Sequence, residues 1–195
     1  MTVSDVVAEV SKDQVFFDES GGGVTVSGGE PLMQVAFVES LLAACRARRI
    51  RTVLDTCGWA DPNALLRVSE NVDLFFYDLK LMDSERHRHF TGVKNDVILR
   101  NLEMLAERGS AVVVRVPVIP GVNDDNDNME DLSEFLIRLG LREIDLLPYH
   151  RFGSDKYRRL HLPYRMEGVA PPTDRQMEAL AAGLRRDGFT VRIGS

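Results

Sequence analysis

An α/β fold, a parallel sheet covered by helices, is predicted for this chain by three features of its sequence. Short β-branched apolar runs alternate with amphipathic segments, the pattern of strands joined by helical crossovers. The predicted strands start near residues 24, 51, 74, 111 and 143. Each unit therefore takes about 23–37 residues, enough for one strand and one helix. Polar and ionisable residues recur where those strands end. Periodicity alone does not separate a partial barrel from an open sheet.

The elements follow in order. Val3, Val6, Val7 and Val10 have helical spacing, which predicts a short helix over 3–12. VTVSG predicts a strand over about 24–28. Phe37, Leu41, Leu42 and Cys45 share one face of a helix over 37–49. RTVLDT (51–56) is a strand, and Asp61-Pro62 opens a helix within 60–70. LFFYDLK (74–80) is an apolar strand with a polar end. A helix over 96–109 closes on Gly109. AVVVRVPVI (111–119) is the strongest strand signal. A helix over 129–140, a strand over 143–149, a helix over 173–188 and a strand over 189–193 complete the chain. With no repeat and no Gly/Ser linker, residues 1–195 read as a single domain.

Composition narrows the function. The chain is 44% hydrophobic and 28% charged, typical of a soluble globular protein. Its formal net charge of −6 opposes nucleic-acid binding by bulk electrostatics. The basic run Arg46–Arg51 reads as a solvated helix end. Two cysteines, Cys45 and Cys57, are too few for a disulfide framework and suit a reducing cytoplasm. No secretory signal or membrane-spanning run is present, so a cytoplasmic location is expected.

The informative residues sit at strand ends. Glu30 follows the first predicted strand, Asp55 closes the second, Asp78 and Lys80 close the third. Arg115 lies in the fourth and His150 follows the fifth. In parallel α/β folds those ends form the ligand face. Each residue taken singly could be a turn cap or a solvated strand end. Together they form a charged set suited to a zwitterion with an ammonium and a carboxylate. GGGVTVSGGEP (21–31) adds bare backbone to the same rim.

Other motifs fail on chemistry. The glycine stretch has neither dinucleotide spacing nor a P-loop lysine. Asp124, Asn126 and Asn128 imitate a calcium loop, but Met129 occupies the position that needs glycine. His87 and His89 are two apart and would face different ways on a helix. Cys45 reads as core packing.

SGGGVTVSGGEPL, LDTCG, FFYDLKLMD, TGV, VRVPVIPGVND, LLPYHRFGSDKY and GVAPPT, in this order, resemble the glycyl-radical-enzyme activating enzymes. These are radical S-adenosylmethionine proteins similar to the pyruvate formate-lyase activator. The resemblance implies a partial (β/α) barrel with outer helices, and S-adenosylmethionine bound on a 4Fe-4S cluster. It implies that Gly28, Gly29 and Glu30 contact the methionine amino group. Asp78, Leu79 and Lys80 would line the same pocket, and His150 would touch the ligand. Asp55, Thr56, Phe76 and Asp78 would hold a monovalent cation beside it. The implied partners are a glycyl radical enzyme and an electron donor such as flavodoxin.

One departure is large. The family holds its cluster with a C-x-x-x-C-x-x-C loop, which this sequence lacks. The chain is therefore expected to start after the cluster loop, without the first barrel strand and with one sheet edge exposed. Alone, it is expected to be inactive. It would be a truncated form, a fragment of a longer product, or a degenerate paralogue that only binds the ligand or partner. The alternative enzyme class is a Schiff-base aldolase-like barrel with Lys80 as nucleophile.

Overall fold

The computed structural model describes residues 1–150 and 168–194. Helices α1 (Val3–Val10) and α2 (Gln14–Ser20), joined by a single 3-10 turn, precede strand β1 (Gly23–Val26). There follow α3 (Val35–Ala47), β2 (Arg51–Thr56), α4 (Pro62–Ser69) and β3 (Leu74–Asp78). Next come α5 (Ser84–Thr91), α6 (Asp96–Glu107), β4 (Val112–Val118) and α7 (Asn126–Leu139). β5 (Glu143–Pro148), α8 (Asp174–Arg186) and β6 (Thr190–Ile193) complete the described chain.

The six strands form one sheet in the order β1-β2-β3-β4-β5-β6, and every pair is parallel. Each helical crossover returns the chain to the next position, so the sheet grows in one direction and curves as a partial barrel. Among the described residues β1 pairs only with β2, and its residues are half or fully exposed. That is the open edge the sequence predicts.

Alternation along the strands separates the two faces. Leu54, Phe75, Tyr77, Val114 and Leu146 are almost wholly buried against the helices. Each such side chain contributes about 1.5–3 kcal/mol by leaving water. A smaller cluster joins Val7 of α1 to Leu41 and Cys45 of α3 and to Ile50. Cys45 is thus a core residue, and burial raises its thiol pKa.

Capping explains the helix starts. Asp61, Asp83, Asp125 and Thr173 each accept a backbone N–H of the first turn of α4, α5, α7 and α8. The run Arg46–Arg51 behaves as a helix end: Arg48 Nη1 donates to the Ala44 carbonyl, and Arg49 turns the chain at φ 60°. Gly23 is required for strand pairing, because a Cβ there would collide with the Arg51 backbone. Among the described residues no helix is long and apolar enough to cross a membrane.

Candidate ligand site at the carboxyl ends of the strands

Strand register brings the charged residues together. Asp78 of β3 lies level with Arg115 of β4, Asp145 of β5 and Arg192 of β6. Acid and base thus alternate across four neighbouring strands on the face opposite Phe75 and Tyr77. Asp55 of β2 shares that face, one step back along its strand.

Arg115 organises the rim. Its Nη1 donates to Asp55 Oδ2 at 2.8 Å, and its Nε lies 3.9 Å from Asp78 Oδ1. Its Cζ sits 5.4 Å from the centroid of the Phe76 ring. Lys80 Nζ donates to Asp78 Oδ2 at 3.3 Å. Burial raises the Asp55 pKa, Arg115 pulls it down, and Asp78 and Glu30 push it up again. Asp78 Oδ1 and Arg115 Nε are buried and have no hydrogen-bond partner among the described residues. Unpaired polar atoms in such a place are costly unless a ligand meets them.

Glu30 has a different task from its neighbours. Its Oε1 accepts the Thr56 hydroxyl at 2.6 Å and the Leu32 N–H at 3.1 Å. Its Oε2 accepts the Cys57 N–H at 2.9 Å and the Cys57 thiol at 3.0 Å. Both carboxylate oxygens are therefore engaged in tying the turn after β1 to the end of β2. Burial, then the hydrogen bond to Glu30 and its charge, push the Cys57 thiol up to about 11.

The glycines just before Glu30 stay open. Gly28 has φ 151°, and neither Gly28 nor Gly29 has any atom within 4 Å of where a Cβ would stand. Among the described residues, a side chain at either position would stand in open space beside the bolted turn.

Leu79 is a core residue by its side chain, and its backbone N–H donates to the Arg115 carbonyl at 2.9 Å. His150 is exposed just past the end of β5. The rest of its motif, residues 151–157, lies outside the described residues. Thr56 is buried and points to the helix side, away from Asp55.

Sequence reasoning missed the asparagines that hold this rim. Asn101 of α6 is fully buried, and its Nδ2 donates to the carbonyls of Gly58 and Ala60 in the loop after β2. Asn95 donates to the carbonyls of Leu81 and Met82. Asn123 donates to the carbonyls of Lys80 and Pro117, and Asn128 Oδ1 accepts the Met82 N–H. The loop carrying Lys80 is thus held from three sides. The available signal was Asn101 interrupting the apolar face of NLEML.

The histidine pair behaves as its spacing predicts. His87 is buried with Nδ1 2.7 Å from the Val93 carbonyl, whereas His89 is exposed and packs edge-on to Phe90. Among the described residues no group of three or more His, Cys, Asp or Glu is placed to hold a metal ion. A cavity of about 550 Å³ at the opposite ends of β1–β3 is lined by Gly21–Gly23, Arg51 and Asp73. Asp73 there accepts the Thr52 N–H and hydroxyl, so it serves the strand and is not free for a ligand.

A parallel six-stranded sheet with a charged rim at its strand ends defines a class that the comparisons identify. Residues 1–136 match the Radical SAM superfamily model, and the chain belongs to that superfamily. Within it, the relatives are glycyl-radical-enzyme activating enzymes. The trans-4-hydroxy-L-proline dehydratase activating enzyme of Clostridioides difficile is 39% identical over 99% of this chain and 65% of its own length. The choline trimethylamine-lyase activating enzyme of Oleidesulfovibrio alaskensis is 41% identical over 98% of this chain and 63% of its own. The chain thus spans just under two thirds of these two relatives. The pyruvate formate-lyase-activating enzyme of Staphylococcus epidermidis is 35% identical over 99% of this chain and 78% of its own length.

A solved domain of the pyruvate-formate lyase-activating enzyme from Bacteroides vulgatus superposes with a TM-score of 0.75 at 32% identity. It covers 89% of this chain and 99% of that one. Streptococcus suis SuiB, solved with S-adenosylmethionine, gives a TM-score of 0.71 at 14% identity over 100% of this chain and 42% of its own. That likeness shows the fold alone.

Proposed function

We propose that this chain is the S-adenosylmethionine-binding part of a glycyl-radical-enzyme activating enzyme. The observation that carries the reading is the charge of the strand-end rim. Glu30, Asp55 and Asp78 bring −3, Arg115 and Lys80 bring +2, so the rim is left at −1. S-adenosylmethionine has an ammonium, a sulfonium and a carboxylate, a net +1 that complements it.

The residues divide the task. The carbonyls of the open Gly28-Gly29 turn would accept hydrogen bonds from the ammonium. Lys80 would pair with the carboxylate as a point charge. His150 stands at the same end of the sheet, where it could approach the nucleoside. Glu30 holds the glycine turn in register without touching the ligand. When bound, S-adenosylmethionine supplies a sulfonium whose cleavage in this superfamily needs an electron from a 4Fe-4S cluster.

The residues of this chain do not fit that cluster. Such a cluster is held by cysteine thiolates. This chain has two cysteines, one packed in the core and one bonded to Glu30. The reading is therefore binding without cleavage by this chain on its own. In the whole protein, the cluster would come from other residues, a reductant such as flavodoxin would supply the electron, and the target would be a glycyl radical enzyme in the cytoplasm. The relatives are named for dehydratase, lyase and decarboxylase targets, so homology leaves that target open.

The comparisons favour this reading over the Schiff-base alternative. Calorimetry tests the proposal by comparing S-adenosylmethionine with S-adenosylhomocysteine, which lacks the sulfonium charge. S-adenosylmethionine should bind several-fold tighter. Equal affinity, or no heat from either at millimolar concentration, would contradict it.

A further inference from the structure

The cation expected between Asp55 and Asp78 meets an occupied place. Arg115 donates to Asp55 Oδ2 at 2.8 Å and brings Nε to 3.9 Å from Asp78 Oδ1. The Thr56 hydroxyl, expected beside the ion, donates to Glu30 and receives the Gly58 N–H. The Phe76 ring presents its face to the guanidinium at 5.4 Å. We propose that the Arg115 guanidinium is itself the resident cation of this site, and that the chain binds no sodium or potassium ion there.

Three physical points support this. First, Arg115 is tethered to β4, so it reaches the two carboxylates at a high effective concentration and loses little freedom. The Phe76 ring adds a cation–π hold. Second, a metal ion between Asp55 and Asp78 would lie beside the guanidinium that already contacts both. Two like charges so close repel each other. Third, the same device recurs on the same face. Arg192 of β6 donates through Nε to Asp145 at 2.8 Å and approaches Glu143 at 3.6 Å. The concave face neutralises its carboxylates with tethered cations from neighbouring strands.

The proposal stands on these contacts and not on the S-adenosylmethionine reading. Its test contains no such ligand, so the two can fail separately. Thallium NMR, with thallium(I) as a potassium surrogate, would be recorded on the whole chain. The wild type should show no saturable broadening. Arg115→Met should open the carboxylate pair and bind thallium at least about ten-fold tighter than the wild type. Melting of this variant should then rise with potassium but not with choline at equal ionic strength. Asp78→Asn in the same background should abolish both effects. Saturable thallium binding by the wild type that Asp55→Asn removes would overturn the proposal. So would a folded Arg115→Met chain that ignores potassium. If that variant does not fold, the wild-type titration alone decides, since it reads the site directly.

Discussion

Glu30 accepts the hydroxyl of Thr56 at 2.6 Å, which fastens the glycine turn after β1 to the end of β2. The same carboxylate takes two backbone N–H groups and a thiol, leaving no oxygen without a protein donor. The acid that resemblance assigns to a ligand amine also bolts two loops together in this chain. Glu30→Ala should therefore cost about 2–3 kcal/mol, because it strands buried donors formerly bonded to a charge. Urea unfolding would show this as a lower midpoint. Glu30→Gln should recover part of the loss, since its amide oxygen can still accept.

Cys57 gives a pH-dependent readout of that bolt. Its thiol is raised to about 11, against about 8.5 for a free cysteine. The folded state therefore favours the protonated form. That contribution to stability is complete below the unfolded pKa and is lost as pH rises from about 8.5 to 11. Alkylation near pH 8 should run about 100-fold slower than for a free cysteine, because the thiolate is scarce. Glu30→Gln removes the adjacent charge and should speed alkylation, which mass spectrometry of the Cys57 peptide would record.

The glycines separate folding from binding. Gly58 has φ 69°, and a Cβ there would overlap the buried Tyr77 hydroxyl, which is fixed by donating to the Ile98 carbonyl at 2.7 Å. Gly58→Ala should destabilise the chain by about 3 kcal/mol or more through strain and displaced packing. Gly29 is open, so Gly29→Ala should leave the melting temperature almost unchanged. It should weaken S-adenosylmethionine binding at least several-fold, because a methyl group would stand where the ligand comes closest.

Asn123 links β3 to β4 at the rim by donating to the carbonyls of Lys80 and Pro117. It is almost fully buried. Asn123→Ala should cost about 1–3 kcal/mol by leaving those carbonyls unpaired. It should also lower ligand affinity in calorimetry by loosening the backbone that carries Lys80. A change in stability with unaltered affinity would show that the loop keeps its position without this asparagine.

Most of the architecture was legible in the sequence, for reasons that individual elements show. β2 over 51–56 has the bounds predicted, because RTVLDT alternates cleanly between the two faces of the sheet. β1 stops at Val26, earlier than the predicted 28, because the Gly28 backbone at φ 151° leaves the strand. Among the described residues, two helices were missed. α2 carries Val15 and Phe16 exposed, with Phe17 alone meeting the core, so no apolar face marks it. α5 is SERHRHFT, polar almost throughout, and is defined by the Asp83 cap and the left-handed Gly92.

The site was legible as a set of residue types, since strand ends must converge in a parallel sheet. The pairings were not. Arg115 reaches Asp55 across an intervening strand, sixty positions earlier in the chain. The asparagine supports depend on contacts between α6, α7 and loops that no local pattern encodes.

The central claim is that the carboxyl ends of the strands form an S-adenosylmethionine pocket. Amide NMR of the isotope-labelled chain during titration with S-adenosylmethionine tests it most directly. The account predicts saturable shifts concentrated at Gly28, Gly29, Cys57, Leu79 and Lys80, with Gly21–Gly23, Arg51 and Asp73 at the opposite ends unmoved. Shifts confined to those opposite ends, or none at saturating ligand, would contradict it.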